Sequence, residues 1–345
     1  MRVLVLGGTG FLGRPITRRL LAAGADVTVF HRHATRDVDL PRAVHVVHGD
    51  RNALDRSVAL FREIRPDVVV DTIAFTHHQA EALVDAFRDV ARRLVVLSSG
   101  DVYRANDILF GRIEGNIELT PLTESSPLRE RLYPYRGIPV PAAYGIDWND
   151  YDKILVERAA SADSRLPATI LRLPMVYGPG DDDGRKRRFM PYMKRMDDGR
   201  AAILLDRRTA NWRAPWGYTD DIAEAVRLCV EDDRAAGEVY NVGESDGIDM
   251  EGWIRELAAV AGWTGRIVLA DQSCPAPNLP RHLNLDQHLD MDTTKIRREL
   301  GYRETVSRRE ALSRTLAWDR AHPPTHIDQG QFDYRAEDAI LSHLP

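Results

Sequence analysis

The run Gly7-Gly8-Thr9-Gly10-Phe11-Leu12-Gly13, set directly behind the apolar stretch Arg2–Leu6, constrains this chain more than any other feature. A short apolar run ending in glycine is the pattern of a parallel strand buried on both faces. Phe11, Leu12, Ile16, Leu20 and Leu21 then recur at helical spacing until Gly24 stops the helix. Between such a strand and helix, Gly7 permits a tight turn and Gly10 lets backbone approach a pyrophosphate. Gly13 lets the helix pack close to the sheet. The helix start adds free N–H groups and a positive dipole end. The loop is expected to hold a dinucleotide through Gly7, Thr9, Gly10, Phe11, Leu12 and Gly13, the alternative being a tight turn with no ligand.

The alternation continues. Val27–Phe30 and Val44–Val47 read as the next two strands; a helix over 53–64 leads to the strand Asp67–Ile73, and a helix over 77–91 to Leu94–Ser98. Strands alternating with helices of this length require parallel pairing through right-handed crossovers, hence an α/β fold with a doubly wound sheet. Residues 104–147 are rich in Pro, Tyr, Arg and Gly without a sustained period; a helix over 150–162 and the strand Ala168–Leu173 then resume the sheet. Further helices are expected over 220–230, 249–261, 294–300 and 307–319, and the polar tail from Pro323 reads as a surface-wrapping extension. The expected division is a nucleotide-binding domain over 1–180 to which 214–244 return. Residues 181–213 and 245–345 would form a smaller substrate lobe and C-terminal extension.

The second strand ends in Phe30-His31-Arg32-His33, with no carboxylate to bond a ribose 2′-hydroxyl. A cation there suits a 2′-phosphate, with Arg32 beside His31 as the leading residue and Arg14 or Arg36 as helpers. A charge-assisted bond of roughly 1.5–3 kcal/mol would favour NADP over NAD by about ten- to a hundredfold. Gly49-Asp50-Arg51 behind the third strand offers a carboxylate to the adenine amino group and a guanidinium to its ring; plain turn chemistry is the alternative.

Net charge is −5, which argues against electrostatic capture of nucleic acid or an anionic membrane. No apolar run is long enough for a membrane span, and the run behind Met1 is too short for a signal peptide, so a cytoplasmic protein is expected. Cys229 and Cys274 are the only cysteines; Cys229 sits in an apolar helical pattern, no zinc spacing occurs, and no metal is expected.

Other motifs follow the glycine run in order: Gly49-Asp50-Arg51, Ser98-Ser99-Gly100-Asp101-Val102-Tyr103, and Arg172 to Gly180. Tyr218 to Ala223, Tyr240 to Gly243, and Asp292 to Lys295 with Leu300-Gly301-Tyr302 complete them. This series, over residues 1–320, resembles the extended short-chain dehydrogenases/reductases, in their NAD-dependent epimerase/dehydratase branch. The resemblance implies a Rossmann half, hydride transfer to or from a nicotinamide, and proton transfer by a Ser–Tyr–Lys set. Ser99 matches the serine and Lys153 the lysine, with Glu157 one turn later; Leu173 falls in a motif on the cofactor side. The tyrosine position, four before Lys153, is Asn149, which cannot act as a general acid. On a regular helix Tyr151 would face elsewhere, but an irregular start would let it reach the site. Tyr144, Tyr103 or a water held near Asn149 are the other substitutes.

Asp101 stands where sugar-nucleotide dehydratases of the family carry an acid/base glutamate; a turn cap is the alternative. Arg213 matches an arginine that binds substrate diphosphate in such enzymes, and Gly184 to Arg188 stand where the substrate lobe begins. Tyr103, Tyr144 and Arg213 are therefore the expected substrate-binding residues. The leading expectation is an NAD(P)-dependent reductase, epimerase or dehydratase acting on a carbonyl, hydroxyl or sugar-like small molecule. Family members often pair through the helix at 150–162, which suggests a homodimer. The rival is a nucleotide-gated binding protein with an RNA or protein partner, as in atypical members related to chloroplast stem-loop-binding proteins. The negative charge and the 7% aromatic content count against RNA.

Overall fold

The computed structural model describes residues 1–32, 40–139, 147–181, 187–270, 283–324, 327 and 329–343. Along the chain the first elements are β1 (Arg2–Leu6), α1 (Gly13–Ala22), β2 (Asp26–His31), β3 (His45–His48), α2 (Val58–Ile64), β4 (Val68–Asp71), α3 (His77–Phe87) and β5 (Arg93–Ser99). Then come α4 (Arg104–Leu109), α5 (Lys153–Ala160), β6 (Ala168–Leu173), β7 (Met175–Tyr177), α6 (Met190–Asp197), β8 (Ala202–Asp206), α7 (Arg207–Asn211), β9 (Trp216–Tyr218) and α8 (Thr219–Glu231). The chain closes with β10 (Val239–Asn241), α9 (Met250–Ala261), β11 (Arg266–Ala270), α10 (Thr294–Leu300), α11 (Arg308–Ala321) and α12 (Tyr334–Leu341).

Seven strands form one parallel sheet in the order β10-β6-β5-β4-β1-β2-β3. The order reverses between β1 and β4, the position where open α/β sheets bind ligands beyond their carboxyl ends. The strands read as unbroken apolar runs because their alternating side chains fill two separate layers. Val3, Val5, Val27, Val29, Val68, Val70, Val95 and Leu97 enter one core with residues of α1 and α8. Leu4, Leu6, Phe30, Val69, Leu94, Val96 and Ile170 enter the other with residues of α3 and α5.

Outside the main sheet, β7 pairs with β9 and β8 with β11, both in parallel. Around them an aromatic core gathers, in which Phe189 stacks on Trp216 at 4.8 Å and on Trp253 at 5.5 Å while the two indoles themselves lie 5.0 Å apart. The tail does more than wrap the surface. It forms α12, whose buried Glu337 pairs with Arg195 of α6 while Ile340 and Leu341 pack against the apolar face of β8 and β11. Two other expectations are revised. The helix over 53–64 is a 3-10 stretch, Arg51–Ser57, broken at Ala53 and followed by the shorter α2. The helix expected from 150 starts only at Lys153, because the Asp152 side chain accepts from the Ile154 N–H and caps it there. No helix among the described residues is long and apolar enough to cross a membrane.

Candidate active site

The glycine run sits where β1 ends and α1 begins, and its glycines serve different ends. Gly7 has φ +84°, with the Thr72 and Ile73 side chains pressed against it. A Cβ on Gly13 would lie 2.0 Å from the Gly7 carbonyl oxygen and 2.7 Å from Gly8 backbone, so this glycine seats α1 on the loop. At Gly10 a Cβ would meet only the Gly7 oxygen at 3.6 Å, an ordinary contact. Protein packing thus accounts for Gly7 and Gly13 and leaves Gly10 bare toward the crevice, which fits a phosphate-bearing ligand. Thr9 is buried, whereas Phe11 and Leu12 are half-buried against the sheet core.

The ends of β2 and β3 lie side by side, the Gly49 N–H donating to the His31 carbonyl at 3.0 Å. His31 is buried with its ring edge-on to His48, and Arg32 behind it is exposed. Asp50 is also exposed and accepts from the Asn52 N–H at 2.9 Å. Arg51 differs from expectation. Its guanidinium turns inward, pairing with buried Asp71 at the end of β4 and donating to the Gln79 carbonyl at 2.9 Å, so it cannot stack on an adenine. Arg14 likewise donates to the Gly180 carbonyl at 2.9 Å, tying α1 to the Gly178-Pro179-Gly180 loop. Arg36 lies outside the described residues.

Four of the five expected catalytic residues, Ser99, Asp101, Tyr151 and Lys153, meet beyond the end of β5. Lys153, buried at the start of α5, donates to the Ala74 carbonyl at 2.6 Å and the Leu97 carbonyl at 2.8 Å, with its ammonium 4.6 Å from the Phe75 ring centre. Ser99 accepts from the Asp101 N–H at 3.2 Å and starts the 3-10 turn Gly100–Val102 that presents Asp101. Tyr151 precedes the capped helix start in extended backbone, bridged to Thr76, and its hydroxyl lies 2.6 Å from Asp101 Oδ2. The late helix start is what turns this phenol into the site.

Burial governs the electrostatics here. The Asp101 carboxyl is held above the usual carboxylate value by desolvation, opposed by the Arg129 and Lys153 charges and by the Tyr151 bond. No donor among the described residues reaches its Oδ1, which is itself buried. The Tyr151 phenol is pushed well above 10, first by burial and then by the Asp101 charge. Tyr135, at about 12 for the same reasons, packs edge-on to Tyr151, which also stacks with Trp148 and Phe75. This aromatic wall and buried Arg129, which donates to the Asp101 carbonyl at 2.5 Å, were not foreseen. Their only sequence signal is the aromatic density of the irregular 104–147 stretch and the flanking Trp148.

Other expected residues lie elsewhere. Asn149 is exposed, and its amide is spent on the Gly137 N–H and the Asp147 carboxylate, so it holds no water at the site. Tyr103 is fully buried. Its hydroxyl donates to Asn241 at 2.6 Å and accepts from Arg172 at 3.0 Å, out of reach of a substrate. Arg172 in turn grips Glu157 with two bonds of 2.8 and 3.1 Å, and Ser98 donates to the same carboxylate. This network ties β5, β6 and β10 to α5 and so fixes Lys153 one turn away. Leu173 ends β6, buried. Arg213 pairs with Asp290 at 2.8 Å, and Tyr144 lies outside the described residues, as do Arg185 and Lys186. Cys229 is buried in α8, and no cluster of three or more His, Cys, Asp or Glu among the described residues could hold a metal.

A cavity of about 380 Å³ lies beside the aromatic core of Trp216, lined by Met175, Trp212, Trp216, Met250, Leu283 and Leu285, with Arg187 and Arg188 in its wall. Met175 also packs on the cluster of Val102, Tyr103 and Ile154, which flanks Asp101 and Lys153. The volume is in the range of small-molecule sites, roughly 300–1,000 Å³.

Comparison with known proteins identifies the family. Residues 3–130 and 144–243 match the sequence model of the NAD dependent epimerase/dehydratase family. The chain is 31% identical over 243 residues to 2'-dehydrokanamycin reductase of Streptomyces kanamyceticus, covering 69% of this chain and only 60% of that protein. It is 25% identical to a UDP-glucose 4-epimerase of Azospirillum brasilense over 93% of this chain and 92% of the other. Among solved structures, UDP-glucose-4-epimerase of Stenotrophomonas maltophila, with bound NAD and formylated UDP-arabinopyranose, superposes with a TM-score of 0.69. The match has 19% identity and covers 93% of this chain and 98% of that one. The named relatives are enzymes and give a nucleotide-gated binding protein no support. With a family match over most of its length, the chain belongs to the NAD dependent epimerase/dehydratase family of reductases, epimerases and dehydratases.

Proposed function

We propose that this chain is an NADP-linked oxidoreductase acting on a carbonyl or hydroxyl group of a small molecule, in which Tyr151 and Asp101 together replace the missing family tyrosine. The 2.6 Å contact between the Tyr151 hydroxyl and Asp101, beside Lys153 and Ser99, carries the reading. The loop Gly7, Thr9, Gly10, Phe11, Leu12 and Gly13 would hold the pyrophosphate, Asp50 the adenine, and exposed Arg32 beside His31 the 2′-phosphate. Lys153 and Leu173 would face the nicotinamide ribose. When bound, the nicotinamide supplies or accepts the hydride.

The residues of the chain manage the proton. Ser99 orients the substrate oxygen. A standing phenolate on Tyr151 is disfavoured by burial and by the adjacent carboxylate, so the proton that leaves Tyr151 must be replaced as it goes. A protonated Asp101, favoured by its desolvation, can supply it. With that proton on Oδ2 the same short contact runs from Asp101 to Tyr151, and the phenol hydrogen is released toward the substrate. On reduction the Tyr151 O–H bond breaks as a new one forms to the substrate oxygen. The Asp101 proton restores the phenol, leaving a carboxylate near Arg129 and Lys153 that solvent reprotonates. Oxidation reverses each step. A cytoplasmic location and pairing of two copies through α5 belong to the same proposal.

The test is titration of the purified chain with NADPH and NADH by fluorescence, then a panel of carbonyl compounds followed by NADPH absorbance. NADPH should bind about ten- to a hundredfold tighter than NADH. Binding of neither, or no oxidation of NADPH by any carbonyl, would remove the proposal.

A further inference from the structure

Arg129 is buried, and each nitrogen of its guanidinium reaches a different piece of the site. The chain at Leu128 and Arg129 returns antiparallel along the turn that presents Asp101. Tyr103 bridges to Leu128, and the Arg129 N–H donates to the Val102 carbonyl at 2.8 Å. That register brings the guanidinium beside Asp101, where Nε donates to the Asp101 carbonyl at 2.5 Å. Nη1 donates to the Arg131 carbonyl at 2.7 Å, and Nη2 faces Oδ1 of Asp152 at 3.4 Å. Both side chains of this ion pair are wholly buried. Asp152 is as fully engaged. Its Oδ1 caps α5 through the Ile154 N–H at 2.8 Å, and its Oδ2 accepts from the Tyr133 N–H at 2.6 Å. Its own N–H donates to the Phe75 carbonyl at 3.0 Å. Asp152 stands between Tyr151 and Lys153 in the chain, so whatever holds it constrains both. A buried ion pair adds little net stability, because desolvation offsets the attraction. What a planar guanidinium fork does fix is distance and direction. Here it spans Asp101 and the segment carrying Tyr151, groups 50 residues apart along the chain.

Resting on the oxidoreductase reading above, we infer that Arg129, through its pair with Asp152, is the positioning residue that sets Asp101 against Tyr151 and Lys153. It acts through these residues and not on the substrate. Its charge has a second effect. The charged and titratable groups acting on Asp101 are Arg129, the run Tyr151, Asp152 and Lys153, and Tyr135, which packs against Tyr151. Arg129 is foremost among those that draw the carboxyl down against its burial, and Asp152 pushes it up. Removing one partner or the other should therefore move the Asp101 proton in opposite directions, which a role in packing alone would not do.

The experiment follows the Asp101 carboxyl by carboxyl-carbon NMR of the aspartate-labelled full chain, the resonance being identified by its loss in Asp101→Asn. It is joined to kcat and KM for carbonyl reduction by NADPH. Arg129→Met should move the Asp101 midpoint to higher pH. Asp152→Asn, which keeps a side chain able to cap α5, should move it to lower pH. Arg129→Lys keeps the charge and gives up the fork. Its midpoint should stay below that of Arg129→Met, while kcat falls about 10²-fold, the cost of a misplacement near one ångström, with KM little changed. Asp152→Asn and Arg129→Lys decide the question even if Arg129→Met fails to fold. An Asp152→Asn midpoint that does not fall, an Arg129→Met midpoint that does not rise, or wild-type kcat in Arg129→Lys would overturn the inference. A wild-type chain that reduces no carbonyl defeats the oxidoreductase reading instead, while the carboxyl titration still reports on Arg129.

Discussion

Two glycines of the β1–α1 loop, Gly10 and Gly13, offer the sharpest separation of folding from ligand binding. In Gly13→Ala the new methyl would lie 2.0 Å from the Gly7 oxygen and 2.7 Å from Gly8, all backbone atoms that cannot rotate away. Overpacking of this kind costs at least about 1–3 kcal/mol. In Gly10→Ala the nearest atom is 3.6 Å off and φ lies outside the left-handed region, so the fold tolerates the methyl. Such a Gly→Ala change can even stabilise by roughly 0.4–1 kcal/mol. The methyl would instead occupy the approach path of the pyrophosphate. At a nucleotide concentration of about 100 Kd the wild type gains roughly 2.7 kcal/mol, and a hundredfold weaker variant only about 0.4 kcal/mol. For a chain of this size that is a Tm rise of about 4 °C against less than about 1 °C. Thermal unfolding with and without NADPH decides it. Gly10→Ala should match the wild-type Tm without nucleotide and lose the NADPH shift, whereas Gly13→Ala should melt lower in both. An undiminished shift in Gly10→Ala would refute the cradle.

Arg32→Glu should weaken NADPH by about ten- to a hundredfold and NADH little, as read by fluorescence titration; equal losses would place the 2′-phosphate elsewhere. Glu157→Ala strands buried Arg172 and should cost about 3–5 kcal/mol, a Tm fall of about 4–7 °C; a change under about 1 °C would mean the network is dispensable. Asp101→Asn should raise stability as pH rises. Because burial raises the folded-state pKa of Asp101, ionising it opposes folding, and this penalty is absent below the unfolded carboxylate value. The Tm gain over wild type should therefore be near zero at about pH 4 and grow toward pH 8; a flat or inverted difference would contradict it.

What was legible in the sequence was local. The apolar runs of β1 to β6 and the glycine loop announced themselves because their pattern is set by neighbours a few residues away. The site depended on partners far along the chain. Tyr103 looked available until Asn241, 138 residues on, and Arg172, 69 residues on, closed around its hydroxyl. Arg51 looked free for a base until Asp71 drew it inside. Tyr151 was open between two orientations, on a regular helix or before an irregular start, and the Asp152 cap directly before Lys153 is the signal that decides for the later start. The tail was read as polar wrapping because the Glu337–Arg195 pair that anchors α12 spans 142 residues.

The proton-relay claim is tested most directly by a double-mutant cycle on the turnover of NADPH with the best carbonyl substrate, using Tyr151→Phe, Asp101→Asn and both together. If the two residues act as one unit, each single change should lower kcat by about 10²–10⁴, and the double change should be scarcely worse than either. Losses that multiply, or a Tyr151→Phe enzyme with the wild-type rate, would contradict it.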